Sequence, residues 1–415
     1  MARRKDVPKF GNLSGMKVVF SGISVAAPFV GELYAESGAD VIWLETPAGH
    51  DVLRFTDSGY ACENERRNMR TISLDYFKPE GKEIFMKIIK ETDVFIEASA
   101  GGKGYTDEIL WEVNPQLVIT HISGYGQTGA ADYVKRPGYD HTAQAFSGMM
   151  YFNGFPDRDP ILVKKFEVDY YTALFAYGAS LAAYINALKT GTGESIDVAQ
   201  YETAVRCQCG FPSQYFHEGV QPRPEGAQNP YIAGLGYYKC QDGEGIYIVP
   251  GAGSMMKRFI TLLGLEYGSE LFPEGCGSLG RQTEAGKLFD DKIVELCASH
   301  TSAEAEKLLL DNNISCSRVY HYAMAEADPH YIARETYTEW MNVKGETIKG
   351  INCVPKFKNN PSRIWRGCPT IGMDTEDILA DLGISDEKTV RELYDKNVVR
   401  KSDLLRYKPS SAMSK

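Results

Sequence analysis

The chain has 415 residues, 43% hydrophobic and 24% charged, with 40 Gly and 19 Pro, a composition of the soluble globular kind and too long for one ordinary core, so two domains are expected. A net charge of −10 argues against nucleic acid as the main partner, and no apolar run reaches the length that crosses a bilayer. Nine cysteines with only Cys207 and Cys209 close together give no disulfide framework. The seven histidines lack the H-E-x-x-H spacing, so no metal is expected, and the basic start MARRKDVPKFG lacks the apolar segment of a signal peptide, which makes the cytoplasm the expected compartment.

The first half alternates strands and helices. MKVVFSG reads as a strand, FVGELYAESG as a helix ending at Gly38, and ADVIWLETP as a second strand. After the basic run ERRNMR, PEGKEIFMKIIKET is an amphipathic helix with Pro79 suited to its first turn. DVFIEAS and QLVITHISG are two further strands. Strands separated by helices predict parallel βαβ units with helices on both sheet faces. From AQAFSG the pattern turns helical, through FEVDYYTALFAYGA and ESIDVAQYETAVRCQCGF. The Pro/Gly-rich GVQPRPEGAQNPYIAGLG reads as a linker or crossing segment. Short strands in LGYYKCQDGEGIYIVPGAG and helices in SMMKRFITLLG and TEAGKLFDDKIVELCASH then suggest a smaller α/β domain, and the tail DTEDILADLGISDEKTVRELYDKNVV holds two helical segments.

Several short stretches carry chemistry. GYGQTG, Gly124 to Gly129, satisfies G-x-G-x-x-G after a strand, which is the signature of an NAD-dependent oxidoreductase. That fingerprint needs a helix to open at once, and Pro137 and Gly138 in the following AADYVKRPGYD break an early helix, so a glycine-rich turn is the competing account. Neither the P-loop nor the G-x-S-x-G motif is present. Basic residues cluster at Arg66, Arg67 and Arg70 and again at Lys135 and Arg136, either as solvated surface or as phosphate ligands. Lys103 is the strongest of them, because its flanking glycines let a phosphate approach the backbone after a strand. Gly251, Ala252 and Gly253 follow a strand and read as a tight turn or as a loop that closes over a reactive intermediate. Asp169 stands where a helix begins, with Ala173, Leu174, Tyr177, Leu181, Tyr184 and Leu188 forming a stripe expected to be buried. An aspartate there is either an N-cap or a placed reactive group.

The segments PKFGNLSGMKVVFSG, AQAFSG, TGTGESIDVAQYE, PKFKNNPSRIWRG and GMDTEDILADLG together resemble the class III coenzyme A transferases, the family of formyl-CoA transferase and carnitine CoA-transferase, and the carnitine/γ-butyrobetaine branch in particular. Bile-acid CoA-transferases are similar in several of the same segments, and a 2-hydroxy-acid substrate is a further alternative. The resemblance implies a Rossmann-like large domain with a smaller α/β domain, in a homodimer whose protomers interlock like linked rings. The boundaries expected are 1–205 for the first part of the large domain, 206–230 for a linker, 231–325 for the small domain and 326–415 for the return. It also implies that Asp169 is the catalytic nucleophile, kept ionised by the helix terminus. CoA would move between an acyl-CoA and a small carboxylic acid through an aspartyl anhydride and an aspartyl-CoA thioester, with CoA as co-substrate and no tightly bound cofactor. Ala26, Arg70, Ala100, Lys103 and Tyr139 are the residues expected at CoA, and the loop Gly251, Ala252, Gly253 is expected to shield the anhydride. Two departures stand out: Ala27 replaces a glycine usual in relatives, and Ala100 falls where the carnitine enzyme has a lysine, so that Lys103 is expected to serve instead.

Overall fold

A computed structural model describes residues 3–47, 51–54, 56–98 and 105–401. Its centre is a seven-stranded sheet. Strands β1 (Lys17–Ser21), β2 (Asp40–Glu45), β3 (Arg70–Leu74), β4 (Val94–Glu97), β5 (Val118–Ser123) and β6 (Ser195–Ala199) are parallel and lie in the order β3-β2-β1-β4-β5-β6. This is a doubly wound order whose direction reverses between β1 and β4. A two-residue strand, Val399–Arg400, adds antiparallel to the outer edge of β3.

Period-2 alternation along the strands sorts side chains between two cores. Val18, Phe20, Val41, Trp43 and Ile96 face α1 (Ala26–Glu36) and a long later helix. Val19, Ile42, Leu44, Phe95 and Ile119 face the other way. There they meet Ile84, Phe85, Ile88 and Ile89 of the helix Pro79–Lys90, together with Ile378, Leu379 and Leu393 from two helices near the carboxyl end. The continuous burial of β2, β3 and β4 follows from this two-sided cover.

The remaining helices of this unit set the site. In chain order after α1 come α2 (Tyr60–Glu65), α3 (the helix Pro79–Lys90), α4 (Asp107–Val113), α5 (Ala131–Val134), α6 (Asp140–Phe146), α7 (Glu167–Thr190) and α8 (Gln200–Arg206). Helix α7 begins after Phe166 (φ 68°) and stops at Gly191 (φ 76°), a left-handed cap position that glycine occupies without a Cβ clash. The stripe expected to be buried on α7 is only partly so, because Leu174 and Leu188 are exposed. The face turned inward carries Val168, Asp169, Thr172, Ala173, Ala176 and Ser180, small residues that let α1 approach closely, with Tyr34 Oη 2.6 Å from Ser180 Oγ. The helix is apolar nearly all round, so periodicity could not choose its buried side.

The chain divides into two compact units. One takes residues up to Met149, Leu162–Pro212 and the part from Ala333 onward; the other takes Met150–Ile161 and Ser213–Ile332. The second unit is an antiparallel sheet of β7 (Gly236–Lys239), β8 (Gly245–Val249) and β9 (Ser315–Arg318), with a separate core built on Tyr238, Ile246, Ile248, Phe259, Phe289 and Ile293. Part of the stretch expected as a linker is helical, Phe211–Glu218. A hairpin, Tyr337–Met341 with Thr347–Ile351, belongs to the first unit, where Arg67 donates to the Ile351 carbonyl at 2.6 Å.

Candidate active site

Asp169 is the third residue of α7 and is 4% exposed. Its Oδ1 accepts a hydrogen bond from Gln200 Nε2, and Oδ2 has no hydrogen-bond partner among the described residues. The helix start is capped by a different carboxylate. Asp140 Oδ1 accepts the N–H groups of Val168 at 2.8 Å and Asp169 at 3.4 Å, so the orphan donors of this helix start are met by Asp140 and not by Asp169. Asp140 is itself 1% exposed, and its Oδ2 accepts from Gln144 Nε2 at 2.9 Å. Gln144 also donates to the Lys164 carbonyl and accepts from Val163 N–H, which fixes the segment leading into α7.

Two glycines let Asp140 reach this place. A Cβ on Gly124 would lie 2.5 Å from Gly138 Cα, so the turn after β5 and the lead into α6 cross at a distance that no side chain permits. The GYGQTG motif is therefore a backbone crossing. The next helix, α5, has four residues and starts seven positions after Gly124, which rules out the phosphate-binding turn of a dinucleotide enzyme.

Burial raises the Asp169 carboxyl, the Asp140 charge raises it further, and the Gln200 hydrogen bond opposes both; the outcome is a pKa pushed up from 3.8 to about 7. Burial and the Asp140 charge thus work against the expectation that the helix terminus keeps this group ionised. Next to it, Tyr170 donates to Glu65 of α2 at 2.9 Å and meets Phe29 of α1 edge to face at 4.9 Å, which ties the start of α7 to both helices.

The strand-order reversal between β1 and β4 opens the crevice where doubly wound folds take ligands. Ala26 begins α1 there, and a Cβ on Gly22 would come within 3.0 Å of the Ala27 Cβ and 3.2 Å of the Ala98 Cβ, so three small residues line this turn. The turn is anchored by Asp51, which accepts from Ser24 N–H at 3.1 Å and pairs with Arg66 at 2.7 Å.

The basic run is neither a solvated surface nor a phosphate cradle. Arg66 pairs with Asp51, Arg67 with Glu32 and Glu36, and Arg70 with Asp40 at 2.6 Å and Asp381 at 2.9 Å; all three guanidinium groups are buried. Arg70, expected at CoA, is 1% exposed and holds structural carboxylates, so it presents no face to a ligand. Lys103 and Ala100 lie outside the described residues. The strand and helix flanking them are joined by His121 of β5, whose Nδ1 is 3.1 Å from Glu97 at the end of β4 and whose Nε2 is 2.9 Å from Asp107 at the start of α4. Burial pulls this imidazole down, but the two carboxylates prevail and raise it above 6.5.

Tyr139 is exposed at the start of α6, one residue before Asp140, with its N–H bonded to Thr142 Oγ1 at 3.0 Å. Gly251 (φ 68°) and Gly253 (φ 58°) flank the exposed Ala252 after β8 in the second unit, a turn built on left-handed backbone. Asp140 and Gln200 were not singled out from the sequence. Gln200 opens a helix directly after β6, and Asp140 opens one after the crossing of Gly138 with Gly124, so taking each helix start near the carboxyl edge of the sheet in turn would have found them. Among the described residues, no group of three or more His, Cys, Asp or Glu could hold a metal ion, and no helix is long and apolar enough to cross a membrane.

Comparison with known proteins fits this geometry. The family model described as CoA-transferase family III matches residues 13–375. The chain is 42% identical over 408 residues to an L-carnitine CoA-transferase of Proteus mirabilis (strain HI4320), covering 96% of this chain and 99% of that one. A crystal structure of a CAIB/BAIF family protein from Brucella suis superposes with a TM-score of 0.76 at 26% identity, over 90% of this chain and all of that one. The structure of Rv3272 from Mycobacterium tuberculosis, 21% identical, shares the fold with a TM-score of 0.77 over 89% of this chain and 99% of that one. A doubly wound sheet with a buried aspartate at its carboxyl edge, matched along nearly its whole length, makes this chain a member of CoA-transferase family III: it is a CoA-transferase, with CoA as co-substrate.

Proposed function

We propose that the chain transfers CoA between a betaine-type acyl-CoA and a free betaine-type acid, of the carnitine, γ-butyrobetaine or crotonobetaine kind, with Asp169 as the nucleophile. The observation that carries the mechanism is the Asp169 carboxyl itself, buried, held through one oxygen and destabilised as an anion. The substrate class rests on 42% identity to an L-carnitine CoA-transferase across 96% of the chain.

A carboxylate starved of hydrogen bonds is a stronger nucleophile than one in water, and acylation removes the buried charge that the site disfavours. Asp169 attacks the thioester carbonyl; the new C–O bond forms as the C–S bond breaks, and the electron pair leaves with the CoA thiolate. The thiolate then attacks the aspartyl carbonyl of the mixed anhydride and expels the first acid as its carboxylate. The acceptor carboxylate reverses both steps and regenerates Asp169. No proton is gained or lost over the cycle, and the thioester bond energy is conserved, so ATP has no part in it.

CoA lies in the crevice at the β1/β4 reversal beside Ala26, near Tyr139, with Lys103 as its cationic contact; Arg70 is left out because its charge is spent on Asp40 and Asp381. The protein is a cytoplasmic homodimer. Exposed Leu174, Phe175, Ile185 and Leu188 on the outer side of α7 support a partner surface there, and a chain that leaves its first unit at Pro212 and returns at Ala333 supports interlocked protomers. Acyl-CoA donors and acid acceptors, mixed pairwise without ATP or NAD and read by mass spectrometry, test the assignment. Transfer among trimethylammonium acids is expected; transfer confined to bile acids or 2-hydroxy acids would refute the substrate class.

A further inference from the structure

The two oxygens of Asp169 are not equivalent. Oδ1 is bonded to Gln200 Nε2, while Oδ2 has no hydrogen-bond partner among the described residues. A carboxylate only accepts, so the amide must turn its N–H face toward Asp169, and its own oxygen is turned toward Gly138, where a Cβ would come 3.5 Å from Oε1. The donor is rigidly mounted. Gln200 is 5% exposed and begins α8 directly after β6. Its carbonyl accepts from Thr203 Oγ1 at 2.8 Å, Thr203 Oγ1 lies 3.0 Å from Thr172 Oγ1, and Thr172 in turn donates to the Val168 carbonyl at 2.7 Å. That chain of hydroxyls links the backbone of Gln200 to the helical turn that bears Asp169.

Resting on the reading of Asp169 as the nucleophile, we propose that Gln200 fixes Oδ1 as the aspartyl carbonyl oxygen and leaves Oδ2 as the attacking atom, and that its N–H stabilises the charge that develops on Oδ1. In the first step Oδ2 bonds to the acyl carbon and the C–S bond of the donor breaks. In the second, the CoA thiolate adds to Asp169 Cγ, the C=O pair moves onto Oδ1 beside the Gln200 N–H, and the intermediate collapses by breaking the Cγ–Oδ2 bond. The first acid therefore leaves with Oδ2. When the acceptor carboxylate attacks the aspartyl-CoA thioester, it contributes a replacement oxygen at the Oδ2 position. Donors aimed at a developing oxyanion commonly account for about 10²–10³ in kcat.

The oxygen bookkeeping gives a test that needs no mutation. Wild-type enzyme is run for some tens of turnovers with donor and acceptor derived from the same acid, its carboxylate fully labelled with ¹⁸O, and the peptide carrying Asp169 is weighed. One ¹⁸O is expected in that peptide, because Oδ1 never leaves the Gln200 amide. Gln200→Met keeps the length and removes the donor; it is expected to lower kcat on the order of 10²–10³-fold, to leave the donor KM unchanged, to move the acidic limb of the rate profile to higher pH, and to admit a second ¹⁸O. Two labels in the wild type, or a Met variant with wild-type kcat and pH profile, would overturn the proposal. No label at Asp169 in the wild type would overturn the nucleophile assignment itself, and this proposal with it.

Discussion

Replacing Asp169 by Asn separates a structural carboxylate from a reactive one. The amide keeps the shape, and its oxygen still accepts from Gln200, while the Val168 and Asp169 N–H groups stay on Asp140. The helix cap is therefore untouched. What changes is charge. The wild-type carboxyl is raised from 3.8 to about 7, so between those values the folded protein holds a proton that the unfolded chain has released. Wild-type stability falls as pH rises through that window and levels off above about 7. At about 1.36 kcal/mol per pH unit, raising the pH from 5 to 8 is expected to widen the stability gap in favour of the Asn variant by about 3 kcal/mol. Urea unfolding of both proteins at the two pH values measures it. Over the same range, kcat/KM of the wild type should climb to a plateau above about 7, since only the carboxylate attacks. The Asn variant should have almost no turnover, and hydroxylamine added after acyl-CoA should leave a hydroxamate on the wild-type Asp169 peptide alone. Stability curves that run parallel with pH would refute the electrostatic argument, and an Asn variant with substantial turnover would refute the mechanism.

Arg70→Ala removes the buried partner shared by Asp40 and Asp381 and leaves them only Arg3 and Arg4, so it should cost about 2–3 kcal/mol in urea unfolding and leave the acyl-CoA KM unchanged; the opposite pattern would return Arg70 to the CoA site. His121→Gln should be most destabilising below pH 6.5, where the imidazolium holds Glu97 and Asp107, and the penalty should fade as pH rises through the elevated folded value; melting at pH 6 and 9 reads the difference. Sedimentation on dilution to nanomolar concentration should show a dimer that persists until it unfolds, and a folded, active monomer would contradict interlocked protomers.

Four of the six parallel strands, β1, β2, β4 and β5, were legible because they are short apolar runs separated by helical periods, whereas β3 was passed over beside the basic run and β6, Ser195–Ala199, was taken into a stretch expected to be helical. Val399–Arg400 was not legible, since two residues carry no period. The α7 stripe misled at Leu174 and Leu188 because a helix apolar on every side has no direction written in its spacing. The arginines misled for a related reason. Exposure is the usual state of Arg, and only the carboxylates of Glu32, Glu36, Asp40, Asp51 and Asp381, brought in from other parts of the sequence, make burial tolerable.

The same limit explains the site. Asp169 stands out locally as a polar residue opening an apolar helix, but local context left it a cap or a reactive group and only the family resemblance pointed to the second. The residues that set its environment lie 29 positions before it and 31 after it. Asp140 stabilises the helix terminus and at the same time repels the Asp169 anion; Gln200 offsets part of that repulsion. A cap that worked through Asp169 itself would engage the carboxyl with backbone donors and pull its pKa down. Handing the cap to Asp140 leaves Asp169 without that stabilisation, and the raised pKa of the carboxyl depends on this division of roles between two aspartates rather than on either one alone.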